Sequence, residues 1–331
     1  MNNYILIILI TSALFFILIK LANPLGLLDK PSSRKKHKFN TPNIGGLGIY
    51  IVLLILLKIY DFDRYLTSVI IASFGIALIG VLDDKYYISL TTRLLVQISC
   101  VFYLVYNGFI VYNLGEIYPI GILTLGSFSI IFTSLCLIFI INSFNYLDGI
   151  DGSLGAISLI SILTLNLFIY YTSGTTEIIL NNLIIILLIF LFFNLSNNKI
   201  SKTFLGNSGS YLLGFIIGSF GIYYVYILNL LTAEFFIWVV AFPVFEFLST
   251  NLSRIIRRRN IFKPGRDHIH YIIDKNQVRS LIKITLIHIL FIIFGLIIYL
   301  LKFTNFSVYI YIITFFSYFS YREQKLQNKI I

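Results

Sequence analysis

Two adjacent aspartates, Asp83 and Asp84, close the third long apolar stretch of the chain, in the run Gly80, Val81, Leu82, Asp83, Asp84. Neighbouring carboxylates repel one another, and one of them resists ionising unless a cation or a proton compensates. Metal binding, proton abstraction or pairing with Arg93 would each supply that compensation; a plain helix end is the bland alternative. A second acidic set follows the fifth apolar stretch, where Asn142, Asn145, Asp148 and Asp151 are interleaved with Gly149 and Gly152. Residues three apart are neighbours on a helix, so Asn142, Asn145 and Asp148 form a polar ribbon winding slowly round it before the glycines release the chain. Their amide and carboxylate oxygens are the hard ligands that magnesium prefers.

Anion chemistry is written in three other places. Asp29 to Gly46 holds Arg34, Lys35 and His37 ahead of a Pro42 and Gly45-Gly46 turn, a set able to hold phosphates, although a basic loop beside a membrane also serves lipid headgroups. Phe204 to Ser210 is a turn of small residues opening a helix, whose free N–H groups suit an anion or an ordinary N-cap. Arg254 to Lys283 combines Arg266, whose guanidinium matches phosphate oxygens in pairs, with His268 and His270, which can donate to sugar or phosphate. Upstream, Pro243 should kink the ninth apolar stretch, and Glu246, Thr250 and Arg254 are spaced to pair along one face. His288 sits inside an apolar stretch and reads as a packed, hydrogen-bonded residue. Cys100 and Cys136 have no paired spacing and read as packing residues. Asp61, Asp63, Glu116, Glu177 and Glu234 read as solvated loop acids.

The elements that position these residues are set by hydropathy. Hydrophobic residues make up 58% of the 331-residue chain and charged residues only 12%, and the mean hydropathy is +0.91. No soluble domain of this length has that balance. Apolar runs of the length a bilayer demands, about 20 residues, recur near 3–22, 44–60, 65–82, 94–112, 126–143, 154–173, 178–195, 209–229, 233–252, 282–301 and 306–321. They lack the polar face a soluble helix needs. The fold class expected is therefore an all-α, polytopic membrane protein of about eleven spans in a single domain, residues 1–331.

Lys and Arg fix the orientation, because short cytoplasmic loops retain them. With the N-terminus outside and the C-terminus inside, the inner loops near 23–43, 83–93, 144–153, 196–208 and 253–281 and the tail from Arg322 collect nearly all the cations. Lys58, Arg64 and Lys302 remain outside, and the first span reads as an anchor rather than a cleaved signal. The net charge of +11 is then an inner-face belt and argues for no nucleic-acid partner. A transporter or lipid carrier is one rival reading, with Glu246 as its coupling site, but the acids gather at helix ends rather than at the midplane; a non-catalytic scaffold protein is the other.

In order along residues 24 to 271, these motifs resemble the polyprenyl-phosphate N-acetylhexosamine-1-phosphate transferases, with the phospho-MurNAc-pentapeptide transferases as the neighbouring alternative. The pattern D-x-P-x-x-R-K-x-H with P-x-x-G-G is met by Asp29, Pro31, Arg34, Lys35, His37, Pro42, Gly45 and Gly46. The aspartate pair is met by Asp83 and Asp84, and N-x-x-N-x-x-D-G-x-D-G by Asn142 through Gly152. Asn207 stands where the family has an acid, Glu246 where it has an aspartate, Tyr271 where it has a last histidine, Tyr87 where an acid is frequent, and Arg93 where lysine is usual.

The resemblance implies transfer of a sugar-1-phosphate from a UDP-hexosamine to undecaprenyl phosphate, with release of UMP, at the cytoplasmic face of a bacterial inner membrane. It implies Mg2+, with Mn2+ as the alternative, on Asn145 and Asn207. Catalytic roles fall to Asp83, Asp84, Asp148 and Asp151, and substrate binding to Arg34, Lys35, His37, Arg93, Asn142, Arg266, His268 and His270. Besides the two substrates and membrane lipid, a homodimer is left open as a partner.

Overall fold

The computed structural model describes residues 2–29, 40–198, 200–261 and 265–330. Thirteen α-helices carry the described residues. Helix α1 (Asn2–Leu25) leads through a minimal antiparallel pair, β1 (Leu28–Asp29) with β2 (Thr41–Pro42), into α2 (Gly45–Ile59), α3 (Arg64–Tyr86) and α4 (Leu90–Tyr106). An antiparallel hairpin, β3 (Asn113–Ile117) with β4 (Gly121–Thr124), precedes α5 (Ser129–Asn145), α6 (Ser153–Ser173) and α7 (Ile178–Asn194). Then follow α8 (Gly206–Ile222), continued by a π-turn at Tyr223–Ile227, and α9 (Ala233–Val239), α10 (Ala241–Ile256), α11 (Ile269–Ile272), α12 (Gln277–Leu300) and α13 (Ser307–Ile330).

Among the described residues six helices are long and apolar enough to cross a membrane, or seven when the bent pair α9 and α10 counts as one; α2, α4 and α7 are shorter apolar helices. The segment expected over 94–112 is helical only to Tyr106, because the chain turns at Asn107 and Gly108 and then enters the hairpin. The break in the ninth segment falls at Val240, with a 66° bend between α9 and α10. Pro243 lies just beyond it, in the first turn of α10, where its missing N–H would otherwise have bonded back across the break. In α13 the polar tail stays helical past residue 321, contrary to its expected end there.

Helix α8 is the axis of the bundle and is buried along nearly its whole length. In a bilayer, helices gain little from mutual burial of apolar side chains, so close packing between small residues decides which ones meet. Helix α8 supplies Gly209, Gly214 and Gly218, and α2, α3 and α5 lie against it. The approach at Gly80 of α3 is so close that a Cβ there would lie 2.2 Å from the Cα of Ser208.

The turns gather at two ends. At one, Asn43 bridges to Phe204, Asp84 meets Asn207, Lys202 reaches Asp151, and Gly149 lies under His270. At the other, the hairpin is tied to the α12–α13 turn by the Tyr118 N–H to Asn305 carbonyl bond, and Glu234 accepts from the Glu116 N–H. The acid pair, the asparagine ribbon and the histidines share the first end, called here the acidic end; the second is the hairpin end.

Candidate active site

Helix α3 ends at the acidic end with Asp83 buried and Asp84 partly buried, and Tyr87 closes it in the left-handed conformation with φ 54°. Asp83 and Asp84 face different partners. The Oδ2 of Asp83 accepts from Arg93 Nη1 at 2.8 Å, from Asn207 Nδ2 at 2.9 Å and from the Tyr211 hydroxyl at 3.3 Å. Tyr211 also accepts from Arg93 Nη1 at 2.9 Å. Pairing with Arg93 is thus the compensation realised for Asp83.

Asp84 sits over the start of α8. Its Oδ1 accepts from the Asn207 N–H at 3.0 Å, and its Oδ2 lies 3.5 Å from the Ser208 N–H, so a carboxylate from α3 occupies the anion seat that the small-residue turn offers. Gly206, with φ +73°, makes this possible: a Cβ there would lie 2.5 Å from Asp84 Oδ2. Asp148, exposed at the end of the ribbon, adds its charge to those acting on Asp84.

Asn145 donates from Nδ2 to Asn207 Oδ1 at 3.2 Å and to Ser210 Oγ at 2.8 Å. Asn142 lies deeper and donates to Gln97 Oε1 at 3.0 Å and to the Ile138 carbonyl at 2.7 Å, which ties α5 to α4. Asp151 stands apart from the Asp83–Asp84–Asn207 cluster, in an ion pair of 2.6 Å with Lys202. Among the described residues no three His, Cys, Asp or Glu side chains converge as a metal site. The donors at hand are instead mixed, the carboxylates of Asp84 and Asp148 with the amides of Asn145 and Asn207. All are hard oxygens, which fits a magnesium-class cation. Such an ion would take Asn207 Oδ1 from its bond with Asn145.

The histidines come from the loop before α12. His268 and His270 stack with ring centroids 5.5 Å apart, and Tyr146 meets His268 edge-on at 4.9 Å. His270 is pressed against Gly149, where a Cβ would lie 1.8 Å from its Nε2, so the glycine is required by close approach. Burial pushes both imidazoles below their ordinary pKa, His270 furthest; for His268 the neighbouring Glu246 and Asp267 partly oppose it. Both ring nitrogens of His270 and the Nδ1 of His268 are buried without a hydrogen-bond partner among the described residues, as is Arg93 Nε. Unpaired buried polar atoms at the same end of the bundle as the carboxylate cluster are groups that a bound ligand would satisfy. Arg266 is exposed on the same loop. Arg34, Lys35 and His37 lie outside the described residues.

Arg254 does not join Glu246 as its spacing suggested. It grips Asp267 with two bonds, 2.8 and 2.7 Å, and donates to the Ile261 carbonyl at 2.9 Å. Burial opposes the Asp267 charge, but this guanidinium outweighs it and holds the carboxyl at about 2. Glu246 does accept from Thr250 Oγ1 at 2.9 Å. It is otherwise taken by the Ile269 N–H and the Tyr318 hydroxyl, at 2.9 and 2.7 Å, which is the environment of a fixed structural carboxylate. His288 meets Ser161 Oγ at 3.1 Å, as a packed histidine should.

Tyr211, Ser210, Gln97 and Lys202 were not among the expected site residues. Tyr211 lies four residues after Asn207, on the same helical face, a spacing that could have placed it. Gln97 and Lys202 carried no such signal.

Residues 66–225 match the family described as Glycosyl transferase family 4. The chain is 27% identical over 285 residues to the undecaprenyl-phosphate alpha-N-acetylglucosaminyl 1-phosphate transferase of Escherichia coli (strain K12), covering 82% of this chain and 76% of the relative. It is 27% identical over 291 residues to the probable undecaprenyl-phosphate N-acetylglucosaminyl 1-phosphate transferase of Bacillus subtilis (strain 168), covering 86% and 79%. A relative of the first name from Yersinia pestis is 28% identical over 285 residues, covering 82% and 76%. The matched span holds the aspartate pair, the asparagine ribbon and the start of α8, the parts that meet at the acidic end, so the similarity to glycosyl transferase family 4 falls on the candidate site.

Proposed function

We propose that this protein transfers an N-acetylhexosamine-1-phosphate from a UDP-sugar to undecaprenyl phosphate, releasing UMP. The observation that carries the reading is the joining of α3, α5 and α8 through Asp83, Asp84, Asn145 and Asn207, at the end of the bundle that also holds the unpaired imidazoles. The names of the relatives supply the acceptor and the sugar-phosphate class. In this reading the chain has eleven spans with the N-terminus outside, and the acidic end faces the cytoplasm of a bacterial inner membrane. In support, Lys85, Arg93, Lys202, Arg254 and Arg257 all lie at that end.

An oxygen of the lipid phosphate attacks the sugar-linked phosphorus, and the pyrophosphate bond breaks with its electron pair leaving on UMP. A phosphate monoester is already mostly ionised near pH 7, so Asp84 acts chiefly by positioning the acceptor, and with Asp148, Asn145 and Asn207 it would hold magnesium. Bound magnesium would neutralise charge on the pyrophosphate. Arg93, fixed against Asp83 and Tyr211, presents its buried Nε to a phosphate, while Arg266, His268 and His270 take the sugar nucleotide. Asp151, through Lys202, steadies the turn carrying Asp148 and Gly149.

Asn207 supports a second reading, a family member with a weakened metal site, because an amide supplies one negative charge fewer than the family's acid. Purified protein with undecaprenyl phosphate and a panel of UDP-hexosamines, with and without magnesium, tests both. UMP release that requires magnesium and lipid is the expected result. Activity only in Asn207→Asp would establish the second reading, and silence from both proteins would overturn the proposal.

A further inference from the structure

Helix α13 lies beyond the matched family span, and its Arg322, counted from sequence as the start of the inner-face basic tail, is fully buried. An uncompensated guanidinium would be expelled from such a position, so its partners define its purpose. Its Nη2 donates to Thr250 Oγ1 at 2.8 Å and to the main-chain carbonyl of Asp267, and its Nη1 donates to Glu323 Oε1 at 3.1 Å. Its Nε lies 3.4 Å from Glu246 Oε2, within ion-pair range but without hydrogen-bond geometry. One turn earlier, Tyr318 donates to the same Glu246 Oε2 at 2.7 Å. Glu323 reaches Arg257 at 2.7 Å.

These bonds converge on three consecutive residues. Arg322 holds the Asp267 carbonyl, Arg254 holds the Asp267 carboxylate, and Glu246 accepts the Ile269 N–H. His268 lies between them, its Nδ1 3.8 Å from Glu246 Oε1. Three carboxylates, Glu246, Asp267 and Glu323, balance three guanidiniums, Arg254, Arg257 and Arg322, so removing Arg322 would leave Glu246 as an unbalanced buried carboxylate directly under the histidine loop.

We propose that α13 is a strap for the sugar-nucleotide site, with Arg322, supported by Tyr318, as a positioning residue that fixes the backbone of Asp267 to Ile269 and thereby aims His268 and His270 at the donor. The proposal rests on the histidines binding the donor, as in the proposed function. Its action on the loop does not depend on that reading.

The test uses the full chain with UDP-N-acetylglucosamine as the donor probe, and the variants Arg322→Met, Arg322→Lys and the pair Glu246→Gln with Arg322→Met. Arg322→Met raises the donor KM by about tenfold while kcat changes by less than about threefold, and hydrogen exchange accelerates in 265–276. Arg322→Lys restores part of the KM. The double variant removes both charges and regains thermal stability but keeps the raised KM, because the Asp267 carbonyl has still lost its donor. A wild-type KM in Arg322→Met, or a KM that recovers together with Tm in the double variant, overturns the strap. If the wild-type protein releases no UMP, the proposed function fails, and the exchange measurement decides the strap alone: unchanged protection of 265–276 in Arg322→Met overturns it.

Discussion

The two ends of the bundle use acidic residues in opposite ways. At the hairpin end, Asp63 accepts from the Leu66 N–H at 2.7 Å as the N-cap of its own helix and takes the Tyr223 hydroxyl at its other oxygen. Glu234 there accepts the Glu116 N–H. These acids, expected to be merely solvated, are fasteners that satisfy helix ends and loops. At the acidic end, Asp84 also accepts from a helix start, but from a helix more than a hundred residues away, and Asp83 is surrounded by Arg93, Asn207 and Tyr211 from two other helices. A local cap needs only its own turn, whereas a carboxylate held between distant helices exists only when the bundle is assembled. Asp63 keeps its local cap even without Tyr223, whereas the bonds of Asp83 and Asp84 named here are all lost once α3 parts from α4 and α8, so the site is the more sensitive of the two ends to helix packing.

The contrast can be broken most sharply at the aspartates. Replacement of Asp84 by Asn should lower kcat by about 10³, or about 4 kcal/mol of barrier, in the magnesium-dependent UMP assay, while Tm changes little. Activity close to wild type would remove Asp84 from the chemistry. Next is the packing beneath it. Gly80→Ala places a Cβ against the Ser208 backbone, and separating α3 from α8 should cost about 1–3 kcal/mol, seen as a fall in Tm with loss of turnover. An unchanged Tm would mean that the two helices can part freely.

Acid should also separate the two ends. His268 and His270 have pKa values lowered by burial, so below the ordinary value of 6.5 the unfolded chain binds protons that the folded chain does not. Their contribution to stability is therefore complete above about 6.5 and is lost as pH falls below it. Asp267, held at about 2, adds a loss of the same sign below its ordinary 3.8. Tm should fall between pH 6.5 and 5, and His270→Phe should flatten that slope; a slope the variant leaves unchanged would place the titrating groups elsewhere. The smallest effect belongs to Asp63→Ala, which should cost about 1 kcal/mol of stability and leave the donor KM unaltered. A raised KM there would show that the hairpin end is coupled to the site.

Much of the site could be read in the chain because its members come in short motifs with fixed spacing. The three-residue step from Asn142 to Asn145 does put both at one end of α5, and the adjacency of Asp83 and Asp84 does yield a compensated carboxylate. The spacing of Glu246, Thr250 and Arg254 predicted only half of its pairing, since it could not weigh Asp267, which is thirteen residues further on and outcompetes Glu246 for Arg254. Arg322 was assigned to the cytoplasmic belt because sequence counts a charge without its surroundings.

Composition and the run lengths of apolar residues by themselves determined that this is a helical membrane protein, because a bilayer offers unpaired backbone groups no hydrogen-bond partner and makes charge costly. The order of the motifs also pointed to the family that residues 66–225 match. Only the tertiary structure decided which carboxylate meets which partner. Those choices depend on how closely α3, α5 and α8 approach through their small residues and on a buried arginine from the last helix, and close packing and burial belong to the assembled bundle.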